Sequence, residues 1–197
     1  MSQRLSRAGS DRRSRGPLVF CAVVSLLAFS LDTPSALADD VVEQIGGDLI
    51  GEKSGDNFGQ SVSISADGTR IAVGGPQNDV GGPENGRTAQ TGHVRVFEFS
   101  SGSWTQLGED IDGEGASDFF GTVVALSSDG NRLAVGSPFD DEVARNAGNV
   151  RVFEYSSGGW NQLGLDIDGW GEGDNFGSSV ALSSDGSFLI AGAPRHD

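Results

Sequence analysis

A motif that occurs three times constrains this chain more than any other feature. Asp56–Gly59 (Asp-Asn-Phe-Gly) recurs as Asp118–Gly121 and as Asp174–Gly177, at spacings of 62 and 56 residues. An Asp-Gly pair and then a Gly-x-Pro segment follow each copy at constant distances. Self-similarity of this kind indicates stacked units, each of which buries its apolar faces against its neighbours. We therefore predict a repeat fold.

One segment accounts for the difference between the two spacings. Gln77–Thr91 contains 15 residues, whereas its counterpart Phe139–Ala147 contains nine. A segment that changes length while its flanks keep register is a surface loop. The sequence therefore predicts that the flanks are structural and that this variable loop is where function differs.

Each full copy has the pattern of four short β-strands. An Asp-Gly turn joins the first two strands, because Gly accepts positive φ without strain. Helical spacing is absent, and 31 Gly residues disfavour helices. The predicted strands are Ser61–Ser65, Arg70–Gly74, Val94–Phe99 and Trp104–Ile111 in the first copy, and Thr122–Leu126, Arg132–Gly136, Val150–Tyr155 and Trp160–Ile167 in the second.

The third strand indicates how the units pack. Val94 and Val96 point to one face of the strand, while Phe97 and Phe99 point to the other. A sheet that is apolar on both faces must be covered on both, as when four-stranded blades stack around an axis. We predict an all-β fold of antiparallel four-stranded β-propeller blades, about two and a half of them; a β-sandwich is the alternative.

The first residues predict export. Five Arg residues precede an apolar run of 14 residues, Leu18–Leu31, and Ala36-Leu37-Ala38 supplies a cleavage site. The run is shorter than a membrane-spanning helix, which needs about 20 residues, so an uncleaved anchor is the less favoured alternative. The predicted organisation is a secretory signal peptide at 1–38, a lone strand and linker at 39–56, repeats at 57–118 and 119–174, and a partial repeat at 175–197.

The remaining chain is strongly acidic. Residues 39–197 keep 8 of the 13 Lys and Arg and 26 of the 28 Asp and Glu, a formal net charge of −18. Such a field repels nucleic acids and anionic membranes and favours cations or basic partners; solubility alone is the alternative reason for it. Cys21 is the only cysteine and lies in the predicted signal, so no disulfide is expected.

Phe-Gly followed by Gly-x-Pro, 16 residues after the Phe, resembles the FG-GAP repeat of integrin α-chain propellers and many secreted proteins. The resemblance covers residues 41–197 and implies a propeller used for adhesion or protein binding. Many members carry an Asp-x-Asp-x-Asp-Gly calcium loop between these two motifs. In this sequence only the short Asp-Gly turn occupies that interval, so the family's calcium loop is absent from its usual place.

An acidic segment elsewhere has the spacing of a calcium loop. Asp110, Asp112, Glu114 and Asp118 occupy positions 1, 3, 5 and 9, with Gly115 at position 6. Alternate carboxylates converge on a hard cation where Gly allows the turn. We predict that these four residues form a metal site that binds calcium; the alternative is a solvated acidic turn.

No nucleophile elbow, phosphate loop or His-rich metal motif occurs, so we predict that the chain is not an enzyme and binds no organic cofactor. The predicted function is an exported binding or adhesion module for protein or glycan ligands, located outside the cell or at its surface. The alternatives are a calcium-stabilised structural protein and the non-catalytic part of a larger glycan-acting enzyme. The sequence stops in an unfinished copy, which indicates either a fragment or a chain that self-associates.

Overall fold

The computed structural model describes residues 43–79 and 89–196, together with two short strands at 23–24 and 27–28. The rest of the predicted signal peptide, residues 39–42, residues 80–88 of the variable loop and Asp197 lie outside the described residues. The described residues form sixteen strands and no helix. Accordingly, no helix of sufficient length and apolarity to cross a membrane occurs among them.

Four two-residue strands precede the first repeat. Strand β1 (Val23–Val24) pairs with β4 (Leu49–Ile50), and β2 (Leu27–Ala28) pairs with β3 (Glu43–Gln44), both antiparallel. Two strands of the predicted signal segment therefore pair with the predicted lone strand. Cleavage after Ala38 stays a prediction, as do the domain boundaries.

The first repeat folds into one antiparallel sheet, here called the first blade. Its strand order is β5-β6-β7-β8, and the short β9 also pairs with β7. The fourth predicted strand is thus split in two, because Gly108 has a φ of 80° and turns the chain away from the ladder after Leu107, whose N–H still donates to Val96 O. The strands are β5 (Ser61–Ile64), β6 (Arg70–Gly75), β7 (His93–Ser100), β8 (Ser103–Gln106) and β9 (Ile111–Asp112).

The second repeat forms a second blade with the same topology, β10-β11-β12-β13 with β14 on β12. The third repeat contributes one antiparallel pair. These strands are β10 (Val123–Leu126), β11 (Arg132–Ser137), β12 (Asn149–Ser156), β13 (Gly159–Gln162), β14 (Ile167–Asp168), β15 (Ser179–Leu182) and β16 (Leu189–Gly192).

The first strands of the three units, β5, β10 and β15, lie side by side. Both faces of the first blade are buried: Val94 and Val96 pack with Phe120 and other residues of the second blade, while Phe97 packs with Phe58 on the other face. This face-to-face stacking of successive four-stranded units confirms the predicted propeller-type fold, incomplete in this chain, and does not support a β-sandwich.

Glycine allows the units to approach closely along the seam between β6 and the next repeat. A Cβ on Gly74 would overlap the carbonyl oxygen of Gly121, and a Cβ on Gly136 would overlap that of Gly177. The hydroxyl of Ser61 donates to the same Gly121 oxygen at 2.6 Å. The Gly-x-Pro and Phe-Gly motifs are therefore two sides of one contact between units.

The tryptophans near the starts of β8 and β13 hold each blade to the segment before it. Trp104 Nε1 donates to Ile45 O at 3.1 Å, and Trp160 Nε1 donates to Leu107 O at 2.9 Å. Leu107 and Trp160 both pack against the core between the two blades. Each indole thus joins one unit to the preceding one through an apolar and a polar contact.

Candidate functional site at the loop end of the blades

The variable loops and the linkers between repeats meet at one end of the blades, which we call the loop end. The loop before β7 is fixed to the linker before β10, with Phe120 N donating to Thr91 O at 2.9 Å and Gly113 N donating to Gly92 O at 2.9 Å. The second repeat repeats both contacts, from Phe176 N to Ala147 O at 2.9 Å and from Gly169 N to Gly148 O at 2.7 Å. The Asp-Gly turns lie at the other end, the turn end.

The first two carboxylates of the predicted calcium loop, Asp110 and Asp112, lie beside residues of the first blade. Asp110 accepts a hydrogen bond from Gln106 Nε2 at 2.6 Å and lies 3.5 Å from both His93 Nδ1 and Arg95 Nε. Asp112 pairs across the sheet with His93. The pKa of Asp112 is raised mainly by burial, and then by the negative charge of Asp110. Asp110 forms a group of candidate metal ligands with Glu52 and His93.

The other two carboxylates point toward the second blade. Glu114 forms an ion pair of 2.8 Å with Arg151, whose guanidinium also donates to Asp112 O at 3.2 Å. Asp118 is buried and contacts Asp140. The described residues contain two groups of three side chains able to share one ion, and neither contains more than one of the four predicted ligands. Metal binding by the four together stays a prediction.

Asp118 belongs to a contact that the three repeats make in three different ways. In the first repeat Asn78 Nδ2 donates to Asp56 Oδ2 at 3.0 Å, and in the third His196 Nδ1 lies 2.8 Å from Asp174 Oδ2. In the second repeat the partner of Asp118 is Asp140, a second carboxyl. Burial, followed by the charge of Asp140, raises the pKa of Asp118 well above its usual range.

Asp140 also belongs to the second group of candidate metal ligands. Asp140, Glu142 and Asp168 each offer a carboxylate oxygen, and these three oxygens all lie within 4.8 Å of one another. The negative charges of Asp168 and Asp140 raise the pKa of Glu142. The pKa of Asp168 is raised mainly by burial, and then by the negative charge of Asp166. These residues are not among the metal ligands predicted from the sequence, although the acidic run Asp140-Asp141-Glu142 lies in a variable loop.

Asp140 and Glu142 line an open cleft of about 390 Å³ between the linker and the loop of the second blade. Phe119 and Phe139 stack edge to face nearby, with ring centroids 5.3 Å apart, and Phe139 is partly exposed. The next linker carries Trp170, which is 87% exposed. Residues lining the cleft are Glu114, Gly115, Ala116, Asp118, Asp140, Asp141 and Glu142.

Comparison with known proteins supports the repeat assignment. The model of the FG-GAP repeat matches residues 110–153, from the end of the first blade into β12. The predicted resemblance is therefore confirmed for this segment. A search of curated proteins found no match to the sequence.

Three solved structures resemble the chain weakly. They are a protein from Bacteroides uniformis provisionally named a 6-phosphogluconolactonase (14% identity, TM-score 0.46), the periplasmic gluconolactonase PpgL of Pseudomonas aeruginosa (18%, 0.46) and the hydrazine synthase of Kuenenia stuttgartiensis (21%, 0.38). The matches cover 78%, 73% and 66% of this chain. The chain spans only 37%, 38% and 40% of the respective structures' lengths.

These comparisons correct one prediction. The chain was predicted not to be an enzyme, and the similar structures named as lactonases contradict that prediction, which we withdraw. It depended on the absence of local catalytic motifs. A propeller can assemble a site from side chains on separate blades, and such a site leaves no motif in any one stretch of sequence.

Proposed function

We propose that this chain is a secreted β-propeller-type module that binds an extracellular protein or glycan through the loop end of its blades. The observation that carries the proposal is the convergence of length-variable loops and linkers at one end, fixed by the same backbone hydrogen bonds in both repeats. Rigid scaffolds that present variable loops at one end commonly use them for binding. The predicted signal peptide and the acidic composition support export.

The side chains at the loop end define the partner's chemistry. Trp170 and Phe139 offer aromatic surface, which stacks on sugar rings or on apolar side chains. Glu114, Asp141 and Glu142 add negative charge around the cleft. The partner we propose therefore bears amino groups or basic side chains beside an apolar surface, and its binding weakens as salt screens the charges.

Two changes at the loop end test the proposal. One variant replaces Gln77–Thr91 by the nine residues of Phe139–Ala147, and the other is Trp170→Ala. Phe188→Ala is the matched control, because Phe188 is a similarly exposed aromatic residue (77%) next to a turn-end Asp-Gly pair. Binding is measured on an array of neutral and amino-bearing glycans and on immobilised extracellular-matrix proteins, with purified full chain.

We expect wild type and Phe188→Ala to bind the same probe, and each loop-end variant to lose at least about tenfold in affinity, typical of an interface anchor. Binding lost equally in Phe188→Ala would contradict a loop-end site. Failure of every probe to bind would overturn the proposal, and release of sugar from a bound glycan would replace it with a glycan-acting function.

A further inference from the structure

The second blade carries two buried oxygen atoms that accept no hydrogen bond. They are Oδ1 of Asn149 and Oδ1 of Asp168. Asn149 is only 3% exposed, and it pairs directly with Asp168 between β12 and β14. Residues paired in this way project their side chains from the same face of the sheet. Two unsatisfied acceptors thus lie on neighbouring paired residues, which native proteins rarely tolerate without a bound water or ion.

Both residues lie at the acidic group described above: Asp168 is a member of it, and Asn149 contacts Asp140. Asn149 Nδ2 donates to Asp140 Oδ2 at 3.1 Å and to Asp166 Oδ2 at 3.3 Å, which places the amide nitrogen against these two carboxylates and leaves the amide oxygen without a donor. Asp168 shares its group with Asp140 and Glu142. Two oxygens that each lie about 2.4 Å from a calcium ion are at most about 4.8 Å apart. The three carboxylates each offer an oxygen within 4.8 Å of the other two, so every pair of them meets this limit.

The nearby cation does not neutralise this group. Arg151 pairs with Glu114 at 2.8 Å and lies 3.9 Å from Asp166, and neither belongs to the group. Glu142 is exposed and reaches the group from the rim of the loop. Oxygen ligands alone, without sulfur or imidazole, suit hard cations, and several protein oxygens in an irregular arrangement suit calcium better than magnesium.

We propose that Asp140, Glu142, Asp168 and the amide oxygen of Asn149 bind one calcium ion at the loop end of the second blade. This site differs from the Asp110–Asp118 segment predicted from the sequence, and it lies at the opposite end of the blade from the Asp-Gly turn. The proposal is independent of the ligand-binding function, since an ion that joins the β11–β12 loop to β14 fixes the blade whatever the loop contacts.

The corresponding positions of the first blade provide matched controls. Asn78, His93 and Asp112 replace Asp140, Asn149 and Asp168, so only one of the three carries a carboxylate. The preceding carboxylate is not part of the difference, because Asp110 and Asp166 each accept from a Gln and lie near an Arg of the central strand. Asp112→Asn is therefore the control for Asp168→Asn.

The test is calorimetric titration of the chelator-treated full chain with calcium chloride, repeated with magnesium chloride. We expect one calcium ion per chain with a Kd of about 0.1 to 1 mM, the range of extracellular calcium modules, and at least tenfold weaker magnesium binding. At 10 mM calcium the melting temperature should rise by about 3 to 6 °C. Asp168→Asn and Asp140→Asn should each weaken calcium binding at least tenfold, and Asp112→Asn should leave it unchanged.

Glu142→Gln keeps the test informative if a buried variant does not fold, because the Glu142 side chain is exposed. We expect this variant to keep the circular dichroism spectrum of wild type in chelator and to bind calcium more weakly. Absence of calcium binding by wild type at 10 mM would overturn the proposal. It would equally be overturned if Asp112→Asn abolished binding while Glu142→Gln and Asp168→Asn retained it, a result that would locate the ion in the Asp110–Asp118 segment.

Discussion

The first and second blades have the same backbone and different chemistry at the loop end. In both, a central strand of eight residues pairs with its neighbours in equivalent register, and a buried Phe of the Phe-Gly motif stacks edge to face on a Phe of that strand. In the first blade a neutral Asn78 donates to Asp56, whereas in the second the acidic Asp140 faces Asp118.

This difference separates the contacts that form the fold from those available for function. The close backbone approach along the seam between units depends on Gly, so it is the same in both copies. The side chains at positions 78 and 140 project into the loop end, where a change of charge leaves the strands intact. The repeat therefore tolerates an accumulation of carboxylates in one blade that its neighbour does not share.

The largest effect should come from breaking what the blades share. Gly136→Ala would place a Cβ against the backbone oxygen of Gly177, which no side-chain rotation relieves. We expect it to lower the free energy of unfolding by about 3 kcal/mol or more, and Gly74→Ala to do the same in the first blade. Gly159→Ala, where a Cβ meets no atom within 4 Å, is the control and should change it by about 0.5 kcal/mol at most.

Urea denaturation monitored by tryptophan fluorescence measures all three variants. Equal and large losses at Gly74 and Gly136 would support a common seam. A loss at Gly136 that is no greater than the loss at Gly159 would show that the units do not pack as described.

An intermediate effect should follow from exchanging the chemistry of the two blades. Asn78→Asp removes the donor to Asp56 and creates a second buried carboxyl pair, so in chelator at pH 7.5 we expect a loss of about 1 to 3 kcal/mol in unfolding free energy. Asp140→Asn removes the carboxyl pair of the second blade and should be neutral or stabilising under the same conditions. Urea denaturation measures the change in unfolding free energy of both variants. If both variants lost stability, the proposed difference between the two blades at positions 78 and 140 would be contradicted.

The smallest effect on the unfolding free energy should come from Asp67 at the turn end. Its surroundings stabilise the charged carboxylate, whereas those of Asp118 at the loop end destabilise it. Asp67 accepts hydrogen bonds from the Ser65 hydroxyl and from the backbone N–H and hydroxyl of Thr69. These bonds, that of Ser65 most strongly, lower the pKa of Asp67 to about 2. A lowered pKa stabilises the fold at pH values above the ordinary 3.8, and this contribution is lost as pH falls through about 2. Because Asp67 is exposed, we expect Asp67→Asn to cost about 0.5 kcal/mol or less at pH 7.

Urea midpoints of wild type and Asp67→Asn at pH 7 and pH 2 measure this contribution. The difference between the two proteins should shrink at the lower pH. A constant difference would show that the turn is stabilised by backbone geometry and not by the charge.

Most of the fold could be predicted from the sequence because it repeats. Copies of one motif identified the strands, and the Asp-Gly turns joined them correctly, with boundaries such as Val123 for the start of β10 shifted by one residue. The split of the fourth strand could not be predicted, since it depends on the positive φ of Gly108, one glycine among 31.

The acidic group of the second blade was missed for a different reason. A search for calcium loops examines a short window of sequence, and Asp140 and Asp168 are 28 residues apart. They meet because β14 returns to pair with β12, which sets Asp168 opposite Asn149. The Asp110–Asp118 segment predicted from the sequence instead lies where two blades join. Its first two carboxylates therefore lie beside the first blade, and its last two face the second.

The anchoring of the variable loops has a practical consequence. Gly92 and Gly148 lie so close to the next linker that a Cβ would overlap the carbonyl of Phe120 or Phe176, and both loops, of 15 and nine residues, return to this same point. Loop length is therefore uncoupled from blade geometry. Peptides of chosen sequence inserted between Pro76 and Gly92 would be displayed on the strands of the blade, so this chain is a starting scaffold for selecting binding proteins from loop libraries.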